Sequence, residues 1–229
     1  MNKIETHQAN VWIAAGVQHS VLSRTLPALR HDLAGSVSVL RMGLAVIARK
    51  LDNGGEQIER DAILQRTQSL EAGVTELSNG LRRLRHWDKP THELLDSRAL
   101  LGEIWALARP FLALRNIDQS PLPDASDAGW PTQPLKPQPL MYLLLASIYH
   151  LAEGAGNTPE RITTTPLADR IRVSSEGLMP STSAPDDCML GAGVRHTPAI
   201  DHLSLLCLAD HLQSHIEFES AQSVLIHLD

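Results

Sequence analysis

The sequence predicts a helical hairpin that forms a dimeric four-helix bundle, followed by an α/β sandwich, and three observations lead to this fold class. None of the 14 prolines lies between Ala28 and Lys89, whereas six fall between Pro121 and Pro139. Apolar residues recur at helical spacing in the proline-free part, and the pattern changes to mixed helices and strands beyond it. The net charge also changes, from +3 over residues 1–90 to −9 over residues 91–229. We therefore predict two domains, 1–90 and 91–229.

The first predicted helix carries one apolar seam. Nine apolar residues recur three or four positions apart, at Leu22, Leu26, Leu29, Leu33, Val37, Leu40, Leu44, Ile47 and Leu51. Asp52-Asn53-Gly54-Gly55 then supplies a stop and a tight turn. Residues 1–20 can extend the helix upstream, and Pro27 would kink that extension because proline has no N–H to donate.

The second predicted helix ends near Trp87, because Pro90 disfavours helical conformation at Lys89. Its seam consists of Ile63, Thr67, Leu70, Val74, Leu77, Leu81 and Leu84. Two such helices alone would leave one side of each seam facing water. Docking two hairpins as a four-helix bundle covers both seams, so we predict a homodimer.

The second domain is predicted as helices on one face of a mixed sheet. Its predicted elements are a helix that Ser97 caps and that runs to Arg115, a Pro-rich loop over 121–139, a helix over 139–153, strands over 161–165 and 170–174, a loop over 177–197, a helix over 199–213, and strands over 215–220 and 223–228.

Composition excludes several classes of protein. The chain has 229 residues, of which 43% are hydrophobic and 20% charged, so it is not fully disordered. The net charge of −6 argues against nucleic-acid binding. The longest apolar stretch, Leu140–Leu151, is too short to span a bilayer, and the N-terminus lacks a secretory leader. We therefore expect no membrane anchor. Two cysteines, Cys188 and Cys207, are too few for a disulfide framework, so we expect a cytoplasmic location.

His31-Asp32 is the candidate reactive pair in this sequence. His31 lies about 200° around the helix from Leu29 and Leu33, so we expect it to point outward. A neutral imidazole there keeps one nitrogen lone pair as a nucleophile, and the Asp32 carboxylate can accept from the other ring nitrogen. By spacing alone, an ordinary exposed histidine beside a surface acid is the simpler interpretation.

The segment Leu29–Leu51 resembles the phosphoacceptor helix of the two-component histidine kinases, whose signature is His-Asp/Glu-Leu followed by an apolar helical continuation. The resemblance extends to the second helix and to a module similar to the kinase ATP-binding domain, so it covers about residues 20–229. It implies that His31 takes a phosphoryl group and that Asp32 assists. Ser36 stands where most members have proline, and Gly35 stands where the family often has the Thr or Asn used in phosphatase activity.

The second domain departs most from this resemblance, and it resembles a degenerate kinase-type ATPase α/β sandwich. The family's nucleotide residues correspond here to His150 for the Mg²⁺-binding asparagine, Ser175 for the adenine-reading aspartate, Met179 for a glycine, and His202 to Leu205, including Ser204, for a Gly-x-Gly. Glycines let backbone amides approach phosphate, and Mg²⁺ needs hard oxygen ligands. We therefore expect no ATP binding and no cofactor on this chain.

Three weaker patterns involve charged or metal-ligating residues. They are His92-Glu93-Leu94, the set Cys207, His211 and His215, and the set Arg82, Arg83 and Arg85. The first repeats the phosphoacceptor signature without a hairpin around it. The second has the i, i+4, i+8 spacing of metal ligands, but its last member is expected to begin a strand. The third is either a solvated helix end or a patch for an acidic partner.

The prediction of function is a histidine phosphotransferase of a phosphorelay, without ATP-dependent kinase activity. A receiver domain would donate phosphoryl to His31, a second receiver would accept it, and the receiver would supply Mg²⁺. The expected docking surface is Arg30, Ala34, Ser38 and Arg41. Expected partners are response-regulator receiver domains, with a hybrid histidine kinase as one candidate, and a second copy of the chain, with no nucleic acid and no membrane. The alternative is a non-catalytic pseudokinase adaptor that binds and regulates a receiver or a histidine kinase, and a weaker third interpretation is a kinase with a divergent nucleotide site.

Overall fold

The computed structural model describes residues 3–53, 60–88, 94–124, 126–127, 129–154, 157–180 and 199–228. Within them the elements are α1 (Lys3–Asn53), α2 (Arg60–Asp88), α3 (Ser97–Ala113), β1 (Asp118–Gln119), α4 (Pro137–Ala152), β2 (Asn157–Leu167), β3 (Arg170–Pro180), α5 (His202–His211), β4 (Ile216–Ser220) and β5 (Ser223–His227). They form two compact units. The hairpin unit is Leu26–Pro90, and the α/β unit is Met1–Thr25 together with Thr91–Asp229.

The hairpin unit is held together by leucines that pack on glycines. Three such pairs connect the antiparallel helices: Leu33 with Gly80, Leu40 with Gly73, and Leu70 with Gly43. A Cβ built on each glycine would stand 2.6 to 2.9 Å from a leucine Cδ2, so any larger residue would require that leucine side chain or the helices to shift. The predicted seams therefore do meet, and the glycines set the distance between the helices.

The α/β unit contains one mixed sheet with strand order β1-β2-β3-β5-β4. Strand β1 pairs parallel to β2, and the other neighbours are antiparallel. Helix α4 is the centre of the core: every residue from Leu140 to Tyr149 is buried, against α3, α5 and three strands. The longest apolar stretch of the sequence is thus a core helix.

The first part of α1 packs in the α/β unit instead of the hairpin. Its buried stripe consists of Ala14, Val17, Val21 and Thr25, and it overlaps the start of the predicted seam at Leu22. The predicted 1–90 domain therefore differs from the hairpin unit at its N-terminal end. The predicted upstream extension is confirmed, because α1 begins at Lys3 and contains Pro27.

The start of α3 corrects the predicted cap. Asp96, and not Ser97, is the N-cap residue, because its carboxylate accepts from the Ala99 N–H at 2.9 Å. The Ser97 hydroxyl is buried and donates to the Pro131 carbonyl at 2.7 Å. A tertiary partner 34 residues away thus takes the side chain that local spacing assigned to the cap.

The hairpin of β2 and β3 is longer than predicted. Its pairing runs from Leu167 opposite Arg170 to Asn157 opposite Pro180, so residues 177–180 belong to a strand and not to a loop. The rest of that predicted loop, 181–197, lies outside the described residues. Strand β1 was not predicted, because two residues are too few to show an alternating pattern.

Candidate functional site

His31 and Asp32 lie near the middle of α1 with their side chains in solvent. The His31 side chain is 89% exposed and that of Asp32 74%, and His31 Nδ1 lies 3.5 Å from Asp32 Oδ1. The carboxylate therefore faces Nδ1 and leaves Nε2 accessible. A neutral ring with its proton on Nδ1 has its lone pair on Nε2, the arrangement that a nitrogen nucleophile needs.

The helix packing fixes the direction in which His31 points. Leu33 and Leu40 contact α2 at Gly80 and Gly73. At about 100° per residue, His31 lies roughly opposite these contacts around the helix. The imidazole thus stands on the face of α1 that is turned away from α2, as its offset from the seam predicts.

The four predicted docking residues are all exposed on α1. Arg30 and Arg41 are separated by about 16 Å along the helix axis, with Ala34 and Ser38 between them. The Ser38 hydroxyl donates to the Ala34 carbonyl at 2.8 Å, so it lies against its own helix. The surface beside His31 therefore carries small side chains, with an arginine at each end.

Gly35 and Ser36 differ from the family pattern without breaking the helix. A Cβ built on Gly35 would meet nothing within 4 Å, so space is open on that side of the site. The Ser36 hydroxyl donates to the Asp32 carbonyl oxygen at 3.1 Å. Because serine keeps the N–H that proline lacks, α1 continues through this position to Asn53.

The two histidines at nucleotide-equivalent positions serve packing in the α/β unit. His150 Nδ1 donates to the Ile200 carbonyl at 2.7 Å, and its ring meets the Phe218 ring edge-on at 5.7 Å. The His202 ring stacks on the same Phe218 ring, with 3.6 Å between the ring centroids. These contacts connect α4, α5 with the residues before it, and β4.

The N-terminus of α5 is occupied by a carboxylate of its own chain. The Ser204 N–H donates to Asp201 Oδ1 at 2.8 Å, and the Asp201 N–H donates to Ser204 Oγ at 3.0 Å. Hydrogen bonds from the Ser204 backbone and side chain lower the pKa of the Asp201 carboxyl. A capping box therefore already uses one amide of the first turn of α5.

Ser175 and Met179 lie on β3, in the ladder of the sheet. The Ser175 N–H donates to the Gln222 carbonyl at 2.9 Å, and its side chain is buried. Met179 pairs with Thr158 of β2. The cavity beside α5, about 170 Å³, is lined by Ile13, Gly16, Val17, Ser20, Ala199, Ile200 and Ser204. This volume is below the roughly 300 Å³ at which ligand pockets begin.

The weaker patterns gain no support as metal or partner sites. Cys207 is buried, and burial raises the pKa of its thiol. His215 precedes β4 and packs its ring on that of His227 at 4.6 Å between centroids. In the described part of the chain, no group of three or more His, Cys, Asp or Glu can hold a metal ion. Arg82 is exposed, whereas His92, Cys188 and the side chains of Arg83 and Arg85 lie outside the described residues.

Sequence reasoning missed a charged cluster in which Arg24 meets Glu153. One signal was available, since Arg24 stands beside the buried stripe that ends at Thr25. The identity of its partner, 129 residues away, has no local signature.

Comparisons with known proteins return solved histidine kinases, whereas no protein-family model and no curated protein matches the chain. Histidine kinase AdeS of Acinetobacter baumannii is 15% identical with a TM-score of 0.37, over 87% of this chain and 97% of that one. The catalytic domain of histidine kinase ThkA is 17% identical with a TM-score of 0.33, over 59% and 92%. Full-length ShkA, solved with AMPPNP, is 18% identical with a TM-score of 0.37, and this chain spans 45% of its length. At these identities and scores, we derive the chemistry from the chain's own residues.

Proposed function

We propose that the chain is a histidine phosphotransfer protein of a two-component phosphorelay and that His31 is its phosphoacceptor. The observation that carries this proposal is the geometry of His31 itself, an 89% exposed imidazole with Nδ1 at 3.5 Å from the Asp32 carboxylate. Such a ring is accessible to a protein-bound phosphoryl group and has its second nitrogen free to attack.

The proposed reaction is a reversible exchange of phosphoryl between aspartate and histidine. Nε2 of His31 attacks the phosphorus of a receiver's aspartyl phosphate, an N–P bond forms, and the acyl O–P bond breaks to release the receiver's carboxylate. Asp32 accepts the Nδ1 hydrogen bond and stabilises the positive charge that develops on the ring. Mg²⁺ held by the receiver neutralises the phosphoryl oxygens in both directions.

The surface beside His31 supports a receiver as the partner. Ala34 and Ser38 leave little side-chain bulk near the ring, so another protein's phosphorylation site can approach. Arg30 and Arg41 at the two ends favour a partner whose contact surface is acidic. A hybrid histidine kinase would dock through its receiver domain in the same way.

We further propose that the chain does not charge itself from ATP. His150 and His202 support this view, because they stand where the family has an asparagine and a glycine and their rings make packing contacts. The capping box at Asp201 adds support, because it uses one amide of the first turn of α5. The phosphoryl group therefore has to come from another protein.

A second copy of the chain is the proposed cover for one apolar face of the hairpin unit. Val37 and Leu44 of α1 are 41% and 57% exposed, and Val74 and Leu81 of α2 are 53% and 52% exposed. Each pair lies about 60° from its helix's contacts with the other helix, and because the helices are antiparallel, all four share one face. Docking two such faces would complete a four-helix bundle.

A bilayer is the competing cover, since the part of α1 between His7 and Arg49 is long and apolar enough to cross a membrane by length and composition. A bilayer span needs about 20 residues, and any such stretch between His7 and Arg49 places at least one of Arg24, Arg30, Asp32 and Arg41 in the bilayer. We therefore propose a cytoplasmic homodimer instead of a membrane span.

The proposed function is tested by incubating the protein with phosphorylated receiver domains and following the label. Wild type should gain phosphate, and His31→Gln should gain none while its far-ultraviolet circular dichroism stays unchanged. His19→Gln is the matched control, because His19 is also an exposed histidine of α1. Binding of a receiver without any transfer would support the pseudokinase adaptor, and direct labelling from ATP would support a kinase.

A further inference from the structure

A groove of about 870 Å³ lies at the open edge of the sheet in the α/β unit. It runs between one face of α3 and residues 116–122, which include β1, and we call it the edge groove. Its floor is apolar, since Trp105, Leu112 and Ile117 are all buried. Ligand sites commonly occupy about 300–1,000 Å³, so the edge groove is large enough to hold a ligand.

The strand beside this groove has one open side. In the described sheet β1 is the first strand of the order β1-β2-β3-β5-β4, so β2 is its neighbour on one side and no described strand lies on the other. The Ser120 N–H donates to the Ile162 carbonyl at 3.0 Å, which turns the backbone of Ser120 toward β2. Because the backbone groups of successive strand residues point to opposite sides, the N–H and C=O of Gln119 point toward the open edge.

Gln119 supplies the backbone donor at this edge. The alternate residues on either side of it, Ile117 and Pro121, have no N–H to offer. The Ile117 N–H already donates to the Leu112 carbonyl at 3.0 Å, and proline has no N–H. A chain that pairs with this edge therefore has to use the N–H of Gln119.

Side-chain hydrogen bonds fix the two walls of the edge groove relative to each other. Gln119 Nε2 donates to the Trp105 carbonyl at 2.6 Å, and Trp105 Nε1 donates to the Ser120 carbonyl at 2.8 Å. Arg109 Nε donates to Gln119 Oε1 at 3.3 Å, which holds the guanidinium at the groove. The groove is therefore formed before any ligand binds, which lowers the entropy cost of binding.

Arg109 is the cation of the edge groove. It is exposed, and among the described residues its hydrogen-bond partner is the neutral Gln119, so both Nη nitrogens keep donors for an anion. Asp118, a carboxylate that lines the groove, lies 3.6 Å from Arg161 instead. Ala106, one turn before Arg109, is exposed and small, so it leaves room beside the guanidinium. The charge of the groove thus favours an acidic partner.

We propose that the edge groove binds an extended peptide segment of another protein, which adds a strand beside β1 and pairs an acidic side chain with Arg109. Alternate side chains of an added strand face the same way, so the residue two positions from the acidic one lies against the apolar floor at Trp105. The helical wall from Gly102 to Ala113 is about 16 Å long, which matches about five extended residues. The site goes beyond phosphotransfer, because it uses neither His31 nor its neighbours.

A library of random heptapeptides displayed on phage and selected on the full chain tests this proposal. Selected peptides should carry Asp or Glu two positions from an apolar residue, and a synthetic copy with blocked ends should slow hydrogen exchange of the Gln119 amide. Arg109→Gln should weaken binding of that peptide by about two- to fivefold, the range for an exposed charged contact. Arg98→Gln is the matched control, because Arg98 is an exposed arginine of α3 outside the groove, and it should leave binding unchanged.

Ala106→Phe fills the groove and should abolish peptide binding, whereas Ala99→Phe, at an exposed alanine of α3 outside the groove, should not. His31→Gln should bind the peptide as wild type does, so this result is separate from the test of phosphotransfer. The proposal is wrong if selection returns no such peptide, if Ala106→Phe binds as well as wild type, or if the peptide leaves exchange of the Gln119 amide unchanged. Binding of benzoate that depends on Arg109, without binding of any peptide, would make the groove a small-molecule site and would also overturn it.

Discussion

His31 in the hairpin unit and His150 in the α/β unit have opposite surroundings. In the hairpin unit, His31 is 89% exposed and its described ionic neighbour is the adjacent Asp32. In the α/β unit, His150 donates to a backbone carbonyl and His202 stacks on Phe218. The His150 nitrogen that donates to a backbone carbonyl is not available for chemistry, whereas the His31 ring is exposed on a helix surface. This difference supports the proposal that the reactive group lies in the hairpin unit.

The largest effect in this comparison is expected at the carboxylate beside His31. Asp32→Asn should slow phosphoryl transfer without preventing it, by a factor within or below about 10²–10⁴, because an amide oxygen still accepts from Nδ1 but carries no charge. Stopped-flow or quench-flow transfer rates with one phosphorylated receiver would measure this. Asp52→Asn, at an exposed acid near the end of the same helix, is the control. Equal rates for Asp32→Asn and wild type would remove Asp32 from the mechanism.

The next effect concerns the apolar face of the hairpin. Leu44→Asp should dissociate the dimer, because an unpaired carboxylate buried between two copies costs several kcal/mol. Light scattering should give about twice 25.1 kDa for wild type and 25.1 kDa for the variant.

Val39→Asp is the matched control, since Val39 is 59% exposed and lies on the other side of α1. It should remain a dimer. A monomeric wild type at micromolar concentration, or a wild type that sediments with membranes, would contradict the proposed second copy.

A smaller effect is expected in the α/β unit. His150→Ala removes the donor to the Ile200 carbonyl and the edge contact with Phe218, so it should lower the free energy of unfolding by about 1–3 kcal/mol. Its transfer rate through His31 should stay within the error of wild type. His211→Ala, an exposed histidine of α5, should change neither quantity. A His150→Ala variant that folds normally but no longer transfers would mean that the α/β unit takes part in the chemistry.

The smallest effect is expected at low pH, at an ion pair between the central strand β3 and the edge strand β4. Arg172 donates to Glu219 at 2.7 Å, and this hydrogen bond lowers the pKa of the Glu219 carboxyl from 4.5 to about 2. A lowered folded-state pKa gives a contribution that is present above pH 4.5 and is lost as the pH falls toward 2. In Glu219→Gln, the free energy of unfolding should therefore fall slightly less than in wild type as the pH drops through that range. Glu217→Gln is the control, and its acid unfolding should match wild type. Identical acid unfolding curves for Glu219→Gln and wild type would contradict it.

Local spacing predicted the parts of the molecule that depend on helical periodicity. The heptad seam places Leu33 and Leu40 against α2, and the same arithmetic turns His31 outward. Periodicity was sufficient there because α1 and α2 are long and their contacts repeat every turn.

Features that depend on distant partners were not predictable in the same way. Ser97 looked like a helix cap, but its hydroxyl bonds to Pro131 and the neighbouring Asp96 takes the cap. Arg24 finds Glu153 across 129 residues, and no spacing rule connects them. Tertiary contacts that involve one side chain from each region leave no periodic trace in the sequence, and the first part of α1 was assigned to the hairpin for that reason.

The most direct test of the central claim is to locate the phosphoryl group on the protein. After incubation with a phosphorylated receiver, the full chain should carry a phosphate that is acid-labile and stable in base, and peptide mass spectrometry should find it on His31. His19, on the same helix, should carry none. Phosphate on another residue, or a base-labile phosphate, would contradict His31 as the phosphoacceptor.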